Sequence, residues 1–462
     1  MTCCPSRPAR SALITMILMQ AALLITAGAL RGQYLSGYDG IGHYVWIRSL
    51  VCDGDVDFRN DFRMYDPHGS GPDPTILYPA TGLAYNHYPA IPALLNAPGF
   101  LLGRAVTLMG PDSWRQDGFG WPEQLGYALN ALAWFAGGLV MLYLFLASQF
   151  HWKAALALTA VAAFGSAPGV AAWNEPFFAH SIEFFLVVGL LRWSYGNPYR
   201  RHEIPGPSSQ SKALLGGLLA GLLVSVRPMD ALLLLIPIGS SLRFKVREGK
   251  THSALSPLVM GFLLSFLPHL ALRFCISGEW NPLGGYKGSM IVHGGTFSNW
   301  MGPNIDKVLL ATNNGLIFWC PVLVLGLLGL FRFARERDFW LPSSVILYLY
   351  MIGSWEAWDG SASMGPRLLS GLTPLLLWTA GLDGKQGPRY SRALVPLSLF
   401  TCLWFNGLVL QRFTHQLPYY ENFARVWEYP YMRTLCLQWS NTLDLVRDPA
   451  GLFHKLAPTD RN

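Results

Sequence analysis

The sequence has few charged residues. Only 13% of its 462 residues are Asp, Glu, Lys or Arg, whereas 52% are hydrophobic. A soluble globular domain has about 25% charged residues, so this composition excludes an ordinary soluble protein. The seven cysteines show no spacing typical of a metal site. We find neither an internal repeat nor a glycine-rich loop of the kind that binds a soluble nucleotide.

Apolar runs long enough to cross a hydrocarbon core of about 30 Å recur along the chain. Clear examples are Leu13–Leu30, Leu125–Ala147, Leu255–Ile276 and Leu316–Phe331. They predict an all-α, multi-pass membrane protein. The first run follows a basic N-terminus, as the apolar part of a signal peptide does, but we interpret it as an uncleaved first span.

The net charge of +7 does not indicate a nucleic-acid partner, because the basic residues lie in short loops between the apolar runs. This distribution is typical of cytoplasmic loops. With the N-terminus in the cytoplasm, every basic loop is cytoplasmic if about eleven spans cross the membrane, and the C-terminal tail is then outside. The predicted spans are 11–30, 125–148, 154–172, 177–195, 213–226, 229–241, 255–276, 313–331, 339–354, 368–382 and 393–411.

Two segments decide this topology. Residues 89–109 contain three prolines and an arginine, and counting them as a span would place most of the later basic clusters outside. We therefore predict interfacial helices in the first outer loop, one of them along 89–109. Residues 227–230 are predicted to form the tip of a hairpin between two short spans. The alternative is a single long helix kinked at Pro228.

The predicted transmembrane module covers residues 1–411 and has two long loops on the outer face. The first extracytoplasmic loop is 31–124, and the second is 277–312. Seven glycines in the second loop predict a mobile cover rather than a folded domain. Residues 412–462 carry several tyrosines and tryptophans, as expected of a short tail at the membrane interface.

A polar stretch directly after the first span holds the main candidate for chemistry. Asp39 lies about eight residues beyond the end of this span, where the membrane surface meets water. A carboxylate there can accept a proton from an attacking hydroxyl group, so Asp39 is predicted to be catalytic. The alternative is an acid that caps the following helix, and the two roles are compatible. We expect His43 and Tyr44, from the same motif, to contact substrate.

Four acidic residues alternate with other residues in a short polar run of the first loop: Asp53, Asp55, Asp57 and Asp61. They suggest a divalent cation, but solvated loop acids are more common. We therefore predict no metal and no cofactor. His87 and Tyr88 precede the proposed interfacial helix and are expected to anchor it at headgroup level or to contact substrate.

Ionisable residues also lie at the predicted outer ends of later spans. Glu175 and His180 flank the start of the fourth span, where a charge is costly and often functional. The alternative is that both lie in headgroup water. Arg227 at the hairpin tip has a planar guanidinium suited to a phosphate group. The alternative for Arg227 is an ion pair with Asp230.

The segment Trp355–Arg367 is rich in glycine and other small residues, which let a backbone approach a ligand. Arg367 stands at the start of a predicted span, where it can neutralise a phosphate at the membrane surface. The alternative is simple anchoring at the headgroups. Lys287 and His293 in the second loop are expected to close over the same anion.

Taken together, these motifs resemble those of bacterial membrane glycosyltransferases of the GT-C superfamily, relatives of the protein O-mannosyltransferases and the lipid A aminoarabinose transferases. The resemblance covers about residues 11–410. It is carried by Asp39-Gly40-Ile41-Gly42-His43-Tyr44, Arg48-Ser49-Leu50, Asp53-Gly54-Asp55-Val56-Asp57-Phe58, His87-Tyr88-Pro89, Arg227-Pro228 and Trp358-Asp359-Gly360 with Gly365-Pro366-Arg367.

In that superfamily a sugar is transferred from a polyprenyl phosphate, and an acid of the first outer loop activates the acceptor for an inverting displacement. The resemblance implies that Asp39 is the general base and that Arg367, with Arg227, holds the lipid phosphate. It implies an enzyme of the bacterial inner membrane with an extracytoplasmic site and a glycan, lipid or protein acceptor. Gly40 stands where many relatives carry a second acid.

The main alternative function is a lipid or glycan transporter. A transporter predicts polar residues spread through the spans and some repeat symmetry. Here the ionisable residues collect near the predicted outer face, which favours an enzyme with a surface site.

Overall fold

The computed structural model describes residues 7–65, 72–196, 209–248, 255–281, 299–336, 339–360, 363–382, 388–413 and 439–440. Over these ranges the chain is helical, with one isolated antiparallel bridge between Leu77 and Ala84. The α-helices are α1 (Arg7–Arg31), α2 (Tyr38–Arg48), α3 (Arg59–Tyr65), α4 (Ile91–Met109), α5 (Trp121–Ala147), α6 (Trp152–Phe164), α7 (Ala167–Asn174), α8 (His180–Tyr195), α9 (Gln210–Val226), α10 (Leu235–Glu248), α11 (Leu255–Ser277), α12 (Ile305–Leu310), α13 (Leu316–Trp319), α14 (Leu323–Glu336), α15 (Trp340–Ser354), α16 (Thr373–Leu382) and α17 (Pro388–Phe413). Three further segments are a π-helical turn at Ser49–Asp53 and 3-10 helices at Pro228–Leu234 and Arg367–Leu372.

The helices confirm a multi-pass membrane protein. Among the described residues, five helices are long and apolar enough to cross a membrane: α1, α4, α5, α11 and the Ala393–Arg412 part of α17. A sixth span results if α6 and α7, which are bent by 52° relative to each other, cross together. Shorter apolar helices include α9 and α15. The count of eleven spans and their orientation remain predictions.

The segment predicted to lie along the membrane surface forms α4, a continuous helix despite its internal Pro98. It is also long and apolar enough to cross the membrane. Gly99 and Gly103 lie on one face of it and allow a close approach to α5. A β-carbon at Gly99 would lie only 2.1 Å from the carbonyl oxygen of Gly126. Small residues at this spacing are typical of packed transmembrane helices. The predicted position of α4 along the membrane surface therefore remains a prediction, with a membrane crossing as the alternative.

The predicted span 313–331 is not one continuous helix, and its crossing of the membrane remains a prediction. It is divided into α13 and α14. Between them, Cys320 has a non-helical conformation (φ −130°, ψ 74°) directly before Pro321. Proline disfavours a helical conformation in the preceding residue and has no N–H to donate. The run is apolar enough to cross a membrane, but Pro321 interrupts the helix within it.

Side chains of α17 satisfy backbone groups at this interruption. The indole N–H of Trp404 donates to the carbonyl oxygen of Phe318 over 2.6 Å. The backbone N–H of Val322 donates to the hydroxyl oxygen of Thr401 over 3.2 Å. A broken helix at membrane depth needs such partners, because lipid offers none.

The chain reverses direction after α9, as predicted for a hairpin tip. Arg227, which follows α9, contacts Glu183 in the first turn of α8. Ser240 in α10 donates to the carbonyl oxygen of Ser194, in the last turn of α8, over 3.0 Å. The segment from Arg227 to Ser240 therefore runs back along α8, and the alternative of one long kinked helix is wrong.

The helices group into two compact units. We call Ile17–Met141 together with Ala171–Gly295 the Asp39 unit. We call Met1–Met16, Leu142–Val170 and Thr296–Asn462 the Arg367 unit. Each name refers to the candidate residue that the unit contains.

Two predicted segments fall largely outside the described residues. Of the second outer loop, residues 282–298 are not among them, and of the tail 412–462 only 412–413 and 439–440 are. The described end of the second loop contains α12, and the N–H of Asn299 donates to the carbonyl oxygen of Ser354 over 3.2 Å. The limits of the module and of the tail remain predictions.

Candidate active site

Asp39 is the second residue of α2 and lies in its first turn. Gly37, with φ 76°, holds the N-cap position of α2. The alternative that Asp39 is the N-cap residue is therefore wrong. In the first turn, a carboxylate is still stabilised by the positive end of the helix dipole. The short α2 thus presents an acid a few residues after the end of α1.

Tyr88, from a later part of the first loop, holds Asp39 in place. Its phenolic hydroxyl donates to Oδ1 of Asp39 over 2.6 Å. The backbone carbonyl of Tyr88 accepts a hydrogen bond from the indole of Trp46 over 3.0 Å. Tyr88 is therefore fixed against α2 at both its side chain and its backbone. Residues from two separate motifs are thus joined by a hydrogen bond.

His43 is buried one turn further along α2, and its Nδ1 lies 3.1 Å from the carbonyl oxygen of Pro89. A carbonyl oxygen only accepts, so Nδ1 carries the hydrogen. Burial, together with nearby His180, lowers the pKa of His43 to about 4, against the opposing effects of Pro89 and Asp39. At neutral pH His43 is therefore a neutral imidazole with its hydrogen on Nδ1.

Glu183 forms a buried junction between two predicted site residues. Its Oε2 accepts a hydrogen bond from Nδ1 of His180 over 2.9 Å, and its Oε1 accepts one from Nη1 of Arg227 over 2.7 Å. Glu183 is completely buried, and its two partners are buried as well. Removing one member of such a group costs roughly 3–5 kcal/mol, because a charge is left behind. Arg227 thus has an acidic partner in α8.

We did not predict Glu183. It interrupts an apolar run and follows His180 by three residues, which places both on the same face of α8. An acid at membrane depth is a signal for function, and this signal was present in the sequence. It was missed because Glu183 belongs to none of the recognised motifs.

The start of α8 lies against the start of α2. A β-carbon at Gly40 would lie 3.3 Å from Cβ of Phe177 and 3.5 Å from the ring of Phe178. The ring centroid of Phe178 is 6.0 Å from that of His180. Asp39 and His180 therefore occupy the same region of the Asp39 unit. The chain brings together residues that are about 140 positions apart in sequence.

Tyr44 has a different environment from the one we predicted. It is fully buried, and its hydroxyl donates to the carbonyl oxygen of Gly118 over 2.6 Å. Four aromatic rings surround it: Phe100, Phe119, Tyr127 and Phe177. Because no part of the side chain is exposed, we assign Tyr44 a packing role and leave it out of the proposed site.

Two further predicted residues lie beside this region. The ring centroid of His87 lies 3.9 Å from that of Tyr88. Glu175 is half-buried and directly follows α7. The adjacent carbonyl of Asn174 accepts a hydrogen bond from Arg31, at the end of α1, over 3.0 Å. For His87 and Glu175, the predicted role in substrate binding therefore remains a proposal.

The acidic run of the first loop surrounds an arginine. The π-helical turn brings Asp53 into contact with Nη1 of Arg48, which also lies 3.0 Å from Oδ1 of Asp61. Asp55 accepts a hydrogen bond from the hydroxyl of Ser49 over 2.8 Å. Burial raises the pKa of Asp61 to about 7, against the opposing effect of Arg48. In the part of the chain that the structure describes, no cluster of three or more His, Cys, Asp or Glu side chains is placed to hold a metal ion.

Arg367 begins a 3-10 helix of the Arg367 unit and is half-buried. Gly360, with φ 69°, packs against it: a β-carbon there would lie 3.3 Å from Nε of Arg367. The neighbouring Asp359 accepts hydrogen bonds from two amides, Asn313 Nδ2 at its side chain (3.1 Å) and Asn314 Nδ2 at its backbone (2.6 Å). We did not predict the two asparagines, because amides in an apolar run carry no charge signal.

The structure brings five of the predicted site residues into one region of the Asp39 unit: Asp39, His43, Tyr88, His180 and Arg227. Arg367 belongs to the other unit. Lys287 and His293 lie outside the described residues.

No protein family and no curated protein matches this sequence. Among solved structures, the chain is similar to ArnT from Cupriavidus metallidurans bound to undecaprenyl phosphate, with 14% identity and a TM-score of 0.45 over 96% of this chain and 77% of that one. It is also similar to the oligosaccharyltransferase of Archaeoglobus fulgidus in the apo form, with 12% identity and a TM-score of 0.44 over 91% and 61%. A third similarity is to the oligosaccharyltransferase AglB of that organism in complex with an inhibitory peptide and a dolichol-phosphate, with 11% identity and a TM-score of 0.41 over 98% and 55%. The chain thus spans less than two thirds of the oligosaccharyltransferases, and these coarse similarities of fold assign it no activity.

Proposed function

We propose that this protein is an inverting glycosyltransferase that moves a sugar from a polyprenyl phosphate to an extracytoplasmic acceptor. The observation that carries the proposal is the hydrogen bond from Tyr88 to Asp39 in the first turn of α2. It fixes a carboxylate a short distance along the chain from the end of an apolar helix long enough to cross the membrane. The motif resemblance supplies the reaction class, and the proposed site is the region around Asp39.

In the proposed reaction, the acceptor hydroxyl oxygen attacks the anomeric carbon of the sugar from the face opposite the phosphate. A bond forms between these two atoms while the bond from the anomeric carbon to the phosphate oxygen breaks. The hydroxyl proton passes to Asp39, and the polyprenyl phosphate leaves as an anion. A base positioned in this way contributes roughly 10²–10⁴-fold to the rate. No soluble nucleotide takes part, since the lipid phosphate is the leaving group.

Arg227 is proposed to stabilise the departing phosphate, since Glu183 holds it in the same region as Asp39, beside His180. For Arg367, which begins a 3-10 helix of the Arg367 unit, a phosphate-binding role is proposed on the motif resemblance alone. A guanidinium presents two parallel N–H donors to a phosphate, and a fixed donor stabilises the developing charge without reorganisation.

The proposal is tested by deleting the gene in the native host and complementing it with wild type or Asp39→Asn. Cell-envelope glycans are then compared by mass spectrometry, with the amount of each protein measured in membranes. We expect wild type to restore a missing sugar and an equally abundant Asp39→Asn not to restore it. Asp112→Asn is the matched control, because Asp112 is an exposed acid of the same loop.

The other outcomes are equally informative. Full restoration by Asp39→Asn would show that Asp39 is not the base. A deletion strain with unchanged glycans, in which lipid-linked sugars accumulate on one side of the membrane, would support a transporter instead.

For Arg367→Gln we expect a higher KM for the lipid donor, whereas Arg367→Lys keeps part of the affinity because it keeps the charge.

A further inference from the structure

Arg273 is a buried guanidinium near the C-terminal end of α11, and only 1% of its surface is exposed. It belongs to none of the sequence motifs. A charge at the end of an apolar helix is costly unless it has polar partners. Its Nη1 donates to the carbonyl oxygen of Asn86 over 2.8 Å, and its Nη2 donates to the hydroxyl oxygen of Tyr78 over 3.3 Å. Both partners lie in the segment that leads to Tyr88.

Asn86 connects this contact to the candidate base. Its side-chain Nδ2 donates to the carbonyl oxygen of Gly42 in α2 over 2.8 Å. Its Oδ1 accepts the backbone N–H of Tyr88 over 3.1 Å. The amide of Asn86 therefore joins α2 to Tyr88, and its own backbone carbonyl is the group that Arg273 holds.

The end of α11 is attached to the same segment at two further points. The hydroxyl of Thr81 donates to the carbonyl oxygen of Ile276 over 2.5 Å. Gly278, with φ 73°, packs against Ala80, and a β-carbon there would lie 2.7 Å from that side chain. The turn from residue 76 to residue 86 is thus held by the last turn of α11 and by the residue after it.

We propose that Arg273 and Asn86 are positioning residues that keep the hydroxyl of Tyr88 on Asp39. This proposal rests on the proposed function, in which Asp39 is the general base. Arg273 fixes the carbonyl of Asn86, Asn86 fixes the backbone of Tyr88, and Tyr88 donates to the carboxylate. A donor to a carboxylate favours its charged form, which is the form that accepts a proton. Arg273 itself touches neither Asp39 nor its proton.

The test uses membranes of the deletion strain, which supply the natural donor and acceptor, and purified full-length protein. Product formation is followed by mass spectrometry between pH 5 and pH 9. For Tyr88→Phe and Arg273→Gln we expect a loss in rate on the order of 10–100-fold. We also expect the acid side of the pH–rate curve to move to higher pH in both, because the carboxylate loses a donor.

The double variant Tyr88→Phe/Arg273→Gln distinguishes positioning from a general loss of structure. If Arg273 acts through Tyr88, the double variant is no slower than Tyr88→Phe, since the second change removes nothing further. Arg192→Gln is the control, because Arg192 is an exposed arginine at the end of a helix in the same unit, and we expect it to be silent.

Additive losses with an unshifted pH–rate curve would overturn the proposal and leave Arg273 a structural residue. If Arg273→Gln does not accumulate in membranes, Arg273→Lys undergoes the same test, and its rate is expected to lie between those of wild type and Tyr88→Phe. Failure of the two proposals is distinguishable. If Asp39→Asn is active, the proposed base is rejected. If Asp39→Asn is inactive but the pH–rate curves of the Arg273 variants are unshifted, only the positioning role is rejected.

Discussion

A β-carbon at position 42 would lie 2.0 Å from Cδ2 of Tyr88, so the ring of Tyr88 rests directly on the backbone of Gly42. The ring can occupy this place only because residue 42 has no side chain. Together with the hydrogen bond to Asp39, this contact explains how Tyr88, 49 residues further along the chain, reaches the first turn of α2.

We predict that Gly42→Ala displaces Tyr88 and slows transfer on the order of 10–100-fold, because the donor to Asp39 moves out of reach. The measurement is the initial rate of product formation at equal protein amount in the membrane assay. The double variant Gly42→Ala/Tyr88→Ala should recover stability, since the clash is relieved, but not activity. Gly189→Ala is the control, because its nearest neighbour would be an ordinary 3.7 Å away. A fully active Gly42→Ala would contradict the packing.

Removal of the hydroxyl group should lower stability at Tyr44 but lower the transfer rate at Tyr88. Tyr44→Phe removes the donor to the carbonyl of Gly118, so we expect the free energy of unfolding to fall by about 1–3 kcal/mol at an unchanged rate per folded molecule. Tyr88→Phe should lower the rate and change stability little. Unfolding in a denaturing detergent series, paired with the rate assay, separates the two effects. The same response from both variants would count against our separation of packing from function.

The junction at Glu183 should show strong coupling in a double-mutant cycle. Glu183→Ala leaves buried Arg227 without its carboxylate, and we expect a loss of roughly 3–5 kcal/mol in the free energy of unfolding. Adding Arg227→Ala to this variant should restore part of the loss, because the uncompensated charge is removed. Strictly additive losses in the cycle would mean that the two side chains do not depend on each other.

The stability contribution of Asp61 should depend on pH. Its pKa in the folded chain is about 7 and exceeds the ordinary value of 3.8, so the folded chain binds a proton that the unfolded chain has released. This contribution is complete below about pH 4, decreases as the pH rises, and is lost above about pH 7. The difference in unfolding free energy between wild type and Asp61→Asn should therefore shrink between pH 4 and pH 7. Asp112→Asn serves as the exposed control, and a pH-independent difference for Asp61→Asn would refute the shift.

The sequence was a good guide where composition and charge decide the structure. Apolar runs predicted the helices, and the hairpin at Arg227 followed from the alternation of basic loops, which reflects the cost of moving charge across lipid. The break at Pro321 was missed, because a hydropathy average does not register the backbone restriction that one proline imposes. Local geometry here overrides a pattern that spans many residues.

For the candidate site, motif positions identified Asp39 and Tyr88, but not the bond between them. That bond depends on how residues 76–88 return to α2, and a single sequence contains no distance between segments. Glu183 and Arg273 were missed for a related reason. Neither belongs to a recognised motif, and the role of each appears only when its partners in other segments, Arg227 for Glu183 and Asn86 for Arg273, are known. Tyr44 shows the converse, since its motif position suggested contact with substrate whereas its neighbours make it a core residue.

The break between α13 and α14 has a consequence for how the protein is assembled during synthesis. Its backbone partners, Thr401 and Trp404, belong to the last helix that the structure describes at length. Until the ribosome has delivered α17, the N–H of Val322 and the carbonyl of Phe318 lack these partners in the bilayer. A product truncated before α17 therefore lacks the two hydrogen bonds that join this break to that helix.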